Sequence, residues 1–296
     1  MRNFKYILMV LLGGAMYGTM SSLVKLSYSR GYNAAEISFA QAFLAALFLG
    51  GVTIVNPNKT SQKKLSRKDL VSLLATGSTI GLTNLLYYQS VSYISASMAI
   101  VILMNFTWFS IVLEWVIFGK RPYLSELLAV PFVLIGSLLA SGSFQHGTSS
   151  LSWQGITLAL ASSLTYAIYI VASSRIGKNV HWMPKSTLIM TGSASMIFLI
   201  NAQTITFDNH FDTEFLALAT FLAIAGTSVP TALFASGIPK IGAGVSSILM
   251  TVELPVAVLC AHIILDESVG YIQGTGIAVM LMAIFFLNHG KPGKFD

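Results

Sequence analysis

Apolar runs of bilayer length alternate with short polar connections along the whole 296-residue chain. A helix needs about 20 apolar residues to cross a hydrocarbon core. On that measure the pattern predicts ten spans, at roughly 5–26, 34–55, 69–89, 94–118, 122–141, 153–176, 184–202, 213–236, 241–265 and 269–288. The connections hold most of the Asn, Pro, Lys and Arg, and none is long enough to form a soluble domain. The first run follows Arg2 and Lys5 as a secretory signal would, but no small-x-small cleavage site precedes Lys25, so it reads as a retained helix.

Composition agrees with this pattern. Charged residues make up 9% of the chain and hydrophobic ones 54%, whereas a soluble domain carries roughly a quarter charged residues. A water-facing surface cannot be built from so few charges, so the fold class expected is an all-α polytopic membrane protein. The net charge of +6 would suit nucleic acid, but the positions of the charges argue otherwise. With the N-terminus cytoplasmic, 15 of the 17 Lys and Arg fall on the cytoplasmic side, and only Lys25 and Arg30 on the other. This is the positive-inside bias. It predicts both termini inside a cell (inner or plasma) membrane, with "FDNHFD" and "SGSFQHGTSS" outside and "KTSQKKLSRK" inside, within reach of anionic headgroups. No nucleic-acid partner is expected. The single cysteine, Cys260, excludes an intrachain disulfide.

Ten spans divide into two fives, and because five is odd a repeated half must be inverted. Sliding the chain by 147 residues aligns "ISASMAIVILMNFTWFSIVLEWVIFGK" (94–120) with "IGAGVSSILMTVELPVAVLCAHIILDE" (241–267). Identities are few. The shared features are a small-residue start, ungapped hydropathy and a charged end. The expected repeats are 1–148 and 149–296. Inverted repeats are a common construction of secondary transporters, which place the substrate between the repeats near mid-membrane.

These residues also carry a family resemblance. "PKIGAGVSSILMTVELPVAVLCAHIILDES" is similar to the small-residue start, Leu-Glu-Pro and closing Gly-Glu of the drug/metabolite transporter superfamily, in particular its EamA-type exporters. Here the order is Glu253-Leu254-Pro255 and the closing pair Asp266-Glu267. "MNFTWFSIVLEWVIFGKRP" departs further, lacking the proline and carrying Lys120 where the family often has Glu, whereas "GGAMYGTMSSLVK" resembles the family's first helix. The resemblance implies a cavity lined by spans 1–4 and 6–9, with spans 5 and 10 outside as packing or dimer elements, leaving monomer and homodimer both open. Gly270-x-x-x-Gly274 in span 10 permits close helix approach. The implied function is alternating-access export of small organic metabolites such as amino acids or related compounds, with proton counter-transport as a candidate coupling. The alternative is uptake or facilitated exchange of a similar solute.

Glu253 is the leading site candidate because it is residue 13 of a 25-residue span, and a carboxyl at such a depth costs about 2.5–3.5 kcal/mol unless it faces a wet or polar interior. Pro255 has no N–H and frees the Thr251 carbonyl nearby. A carboxyl that alternates between hydrocarbon and water alternates between protonated and ionised forms, so Glu253 is also the proton-coupling candidate. The alternative is a neutral acid bonded to a neighbouring helix. His262, nine residues on, falls on the opposite helix face and reads as an interfacial residue. Glu114 reads as a headgroup-level partner for a nearby Lys or Arg. Further cavity candidates are Tyr17 in span 1, Asn84 and Tyr88 in span 3, Asn105 and Trp108 in span 4, Tyr166 and Tyr169 in span 6, and Thr227 before Pro230 in span 8. Each has a plain packing alternative. Together they describe aromatic walls with few fixed charges, suited to a neutral, zwitterionic or aromatic molecule. Bending is expected at the prolines and glycines of spans 8 and 9.

Other classes fit poorly. Of the histidines only His262 lies within a span, so no paired haem ligation is expected, and no His-Glu-x-x-His, Asp-Asp-x-x-Asp or Gly-x-Ser-x-Gly occurs. No cofactor, metal or enzymatic activity is expected, and nothing resembles the charged rings or carbonyl filters of channels.

Overall fold

The computed structural model of the chain describes residues 2–56, 65–94, 96–140, 152–207, 211–265 and 269–289. The Asp266-Glu267 stop, "SGSFQHGTSS", residues 59–64 of the basic cluster and the centre of "FDNHFD" lie outside the described residues.

All regular structure among the described residues is helical. The helices are α1 (Arg2–Ser29), α2 (Ala34–Val55), α3 (Arg67–Val91), α4 (Ala96–Leu103), α5 (Phe106–Phe118), α6 (Leu124–Ala140), α7 (Trp153–Arg175) and α8 (Trp182–Phe207). They continue with α9 (Thr213–Phe221), a π-helical turn (Leu222–Ser228), α10 (Val229–Ile241), α11 (Ala243–Met250), α12 (Glu253–Leu265) and α13 (Tyr271–His289). Among the described residues eight helical runs are long and apolar enough to cross a membrane, and two shorter apolar helices cover Leu124–Ala140 and Tyr271–Phe285. An all-helical fold is what hydrocarbon requires, since each backbone N–H and C=O must be bonded inside its own segment.

Local chemistry sets the helix ends. Asn33 and Glu36 form a reciprocal capping box at the start of α2, and Ser66 and Asp69 do the same for α3. Asp212 caps α9 through the Phe215 amide at 2.7 Å. These side chains satisfy donors that the first helical turn leaves open. Within the spans, Ser and Thr hydroxyls return to carbonyls of the preceding turn, as from Thr83 to Thr79 at 2.8 Å and from Ser110 to Phe106 at 2.6 Å.

Three interruptions bear on function. The π-helical turn precedes Pro230, whose ring and missing N–H displace the ordinary ladder. The hydroxyls of Thr227 and Ser228 reach back five residues, to the carbonyls of Leu222 (3.1 Å) and Ala223 (2.7 Å). The second interruption is Thr251–Val252, between α11 and α12, and the third is Met104–Asn105, between α4 and α5. These last two breaks coincide when the chain is shifted by 147 residues, the offset on which the sequence repeat rests. The break in span 4 departs from expectation, because that span has no proline. There the Asn105 side-chain amide takes the Ile102 carbonyl at 2.8 Å and so stabilises the break without one.

The packing follows the same exchange of halves. α1 packs on α10 and α12, and α7 packs on α3 and on α4–α5. α2 packs on α8, and α6 packs on α13. Glycines permit the closest crossings. A Cβ at Gly77 or Gly192 would collide with the Ile189 or Leu74 carbonyl oxygen, where α3 crosses α8. In span 10 the contact within the chain falls on another glycine. A Cβ at Gly274 would have nothing within 4 Å, whereas one at Gly276 would meet the backbone of Gly136 and Ala140 on α6. The close approach of span 10 therefore uses Gly276.

Candidate functional site

The break before α12 places Glu253 at the first turn of a new half-helix. The Thr251 carbonyl is not free, as Pro255 suggested it would be. It accepts the Leu254 amide at 3.2 Å, because the turn tightens to a three-residue bond when the four-residue partner lacks its hydrogen. The chain before Glu253 is further held by Gly18 of α1, where a Cβ would collide with the Glu253 carbonyl oxygen. The side chain is 4% exposed, and its Oε1 accepts the Tyr166 hydroxyl of α7 at 2.5 Å.

Tyr166 links the two halves. Its ring lies 4.7 Å from that of Phe106, the residue that the 147 shift sets opposite Glu253. Tyr169 stacks behind it with ring centroids 6.2 Å apart and planes at 18°. Tyr17 of α1 lies 5.6 Å from Phe234 of α10. On α3, Tyr88 donates to Gln41 Oε1 at 3.2 Å.

These groups surround a void of about 40 Å³ among α1, α3, α4, α7 and α12, bounded by Tyr17, Asn84, Tyr87, Tyr88, Tyr166 and Glu253 with smaller neighbours. A space of that size holds water but no metabolite. Of the other spans that the resemblance implies as lining, 2 and 8 act one layer back through Gln41 and Phe234, and no described residue of span 7 bounds the void. Among the described lining residues Glu253 is the only charged type.

The remaining sequence candidates lie elsewhere. Trp108 donates to Asn105 Oδ1 at 2.9 Å, so both serve the helix break and neither bounds the void. Thr227 spends its hydroxyl on the π-helical turn; its neighbour Gly226 is where Met20, a lining residue, packs. Tyr169 supports Tyr166 from behind. Conversely, sequence reasoning misses Tyr87. It lines the void, and its buried hydroxyl has no hydrogen-bond partner among the described residues, which leaves a costly orphan polar group. The spacing 84–87–88 contains the signal, since residues three and four apart share a helix face.

The bundle is tied at both ends by polar contacts between halves. Glu114 of α5 pairs with Arg175 of α7 at 2.8 Å and Lys120 at 3.5 Å, and the Gly244 amide at the start of α11 donates to it at 3.4 Å. The pairing expected for Glu114 is thus present, but buried and between halves. At the other end Arg30 pairs with Glu214, and the Tyr32 hydroxyl donates to Asp212 at 3.0 Å.

Comparison with known proteins identifies this architecture. Residues 4–142 and 153–289 each match the EamA-like transporter family. The chain belongs to that family. This EamA-like chain is therefore a multi-pass membrane transporter of the drug/metabolite superfamily, acting on small molecules within a bilayer. It is 25% identical over 232 residues to the Uncharacterized transporter sll1319 of Synechocystis sp., covering 78% of this chain and 70% of the relative. It is 23% identical over 296 residues to the Uncharacterized transporter YcbK of Bacillus subtilis, covering 95% and 92%. A solved crystal structure, 12% identical, superposes with a TM-score of 0.79 over 98% of both chains, a likeness of fold.

Proposed function

We propose that the chain exports small organic metabolites, amino acids or related compounds, in exchange for protons, by alternating access between two inverted five-helix halves. The observation that carries this reading is the central void. It brings together an intramembrane carboxyl, a tyrosine hydroxyl with no partner among the described residues and aromatic walls drawn from both halves. A hydroxyl and a carboxyl lining one void are groups that a hydrogen-bonding solute can engage. Tyr17, Asn84, Tyr87, Tyr88, Tyr166 and Glu253 form the site in this reading, with Phe106 and Tyr169 as supports.

At 40 Å³ the void must widen before a metabolite enters, so the conformation is a closed one, held at both ends. The ion pairs at the two ends differ in exposure. Arg30 and Glu214 are 42% and 64% exposed, and exposed pairs are worth about 0–1 kcal/mol. Glu114 is 5% exposed and holds two cations. Exchange of the halves in the packing, and of the helix breaks at an offset of 147, supports a two-fold relation between them. The positive-inside bias supports ten spans in a plasma membrane with both termini cytoplasmic, as a monomer or homodimer.

Two measurements test this. A thermal-shift screen of metabolites on the purified chain is expected to find a stabilising amino-acid-like solute, whose labelled form then leaves or enters proteoliposomes only when the chain is present. Failure of every stabilising solute to cross would refute transport of this class. For topology, Ser29→Cys and Asn179→Cys in a Cys260→Ser background are expected to react with an impermeant thiol reagent from opposite faces of the membrane. Reaction from the same face would exclude the proposed arrangement.

A further inference from the structure

A second cavity, larger than the central one, opens at one end of the bundle. A solvent-open vestibule of about 620 Å³ lies between the start of α1, the end of α10 and the start of α8. Cavities of roughly 300–1,000 Å³ are the size that takes drug-sized organic ligands. Lys5, Lys178, Lys240 and His181 line it, and no described lining residue is acidic. Asp69, which lines the adjoining cleft, is committed to the capping box of α3. Behind the wall, the buried Lys185 amine donates to the Ser173 and Ile176 carbonyls at 3.0 Å each.

Charge of one sign on a concave, partly apolar wall focuses the field and concentrates counter-ions. The wall between the lysines includes Tyr6, Met9, Val180, Trp182 and two prolines, with Thr53, Asn179 and Ser236 as neutral polar neighbours. An inorganic ion would leave that surface unused. An organic body would cover it. Bias of Lys and Arg to one membrane side accounts for the presence of lysines at this end, but not for their convergence from three separate elements on one apolar-walled cavity.

We propose that the vestibule binds an amphiphilic organic anion, with its phosphate or carboxylate among Lys5, Lys178 and Lys240 and its apolar part along Tyr6 and Trp182. The site is distinct from the central void and does not depend on proton coupling. One layer separates the two: Met9 and Ala235 line the vestibule, Phe234 packs against Gly13, and Tyr17, which bounds the void, lies 5.6 Å from Phe234 in a tilted contact.

The chemistry has two sources, a phospholipid of the surrounding leaflet or a soluble organic anion, and one titration separates them. The purified full chain, in zwitterionic-lipid nanodiscs, is titrated with short-chain phosphatidylglycerol, phosphatidylcholine of equal chain length, phenyl phosphate and inorganic phosphate. Phosphatidylglycerol is expected to bind at least tenfold more tightly than phosphatidylcholine. Binding of phenyl phosphate as well assigns the site to soluble organic anions, and its failure to bind assigns it to lipid. The Lys5→Ala/Lys178→Ala/Lys240→Ala variant, all three residues being exposed, is expected to keep its melting temperature and lose the preference. Lys68→Ala, one exposed charge outside the vestibule, is expected to retain the preference where Lys178→Ala alone weakens it. Equal binding of the two phospholipids, equal binding of inorganic phosphate and organic anions, or an unaltered preference in the triple variant would each overturn the proposal.

Discussion

Glu253→Gln is expected to abolish solute movement driven by a pH gradient in proteoliposomes, while solute-for-solute exchange continues. The substitution keeps the shape of the side chain and its ability to accept from Tyr166, at 2.5 Å in the native chain, but removes the group that carries a proton. If the carboxyl couples proton and solute, the loss appears only where a proton must cross. Tyr166→Phe removes one hydrogen bond, worth about 0.5–1.5 kcal/mol, so its rate should fall about two- to tenfold with the coupling retained. His262, exposed on the same helix, serves as the control, and His262→Gln should change neither activity. The solute is the one identified by the thermal-shift screen. Unaltered pH-driven movement in Glu253→Gln would remove Glu253 from the proton path and leave it a structural acid bonded to α7.

How much of this is legible in the sequence depends on which forces act locally. The apolar runs appear as helices with their ends shifted by a few residues, because burial in hydrocarbon requires length and leaves little else to decide. Glu253 and Tyr166 stand out for the same reason, as polar groups where polarity is expensive. What fails to show is anything set by contact between distant segments. Asn105 and Trp108 look like cavity residues by their spacing, yet they bond to one another, and the break they serve has no proline to announce it. Tyr87 and Phe106 are hidden among ordinary aromatic residues. Tyr87 differs from other buried tyrosines only in having an orphan hydroxyl, and Phe106 only in facing Tyr166 from the position equivalent to Glu253. The choice between Gly274 and Gly276 likewise depends on which face of α13 meets α6, which periodicity does not specify in a helix apolar all round.

The α3–α8 crossing yields the largest expected effect on stability. Gly77→Ala adds a single methyl, yet its Cβ would fall on the Ile189 carbonyl oxygen, and at Gly192 the Leu74 carbonyl is met in the same way. A backbone atom cannot rotate aside as a side chain can, so the two helices must separate. Overpacking of a tight interior costs about 1–3 kcal/mol and occasionally more. Small residues are also what lets membrane helices approach closely enough for dispersion and hydrogen bonding to hold them, since lipid supplies no hydrophobic drive between helices. Thermal melting of Gly77→Ala and Gly192→Ala in detergent is therefore expected to fall well below that of the native chain. Gly51→Ala is the matched control: nothing lies within 4 Å of its added methyl, and exchange of glycine for alanine within a helix favours the helix by about 0.8–1.0 kcal/mol. Equal melting temperatures for Gly77→Ala and Gly51→Ala would show that the crossing relaxes at no cost. Since α3 carries Asn84, Tyr87 and Tyr88 to the central void, parting it from α8 should also weaken solute binding, although no substituted residue touches the solute.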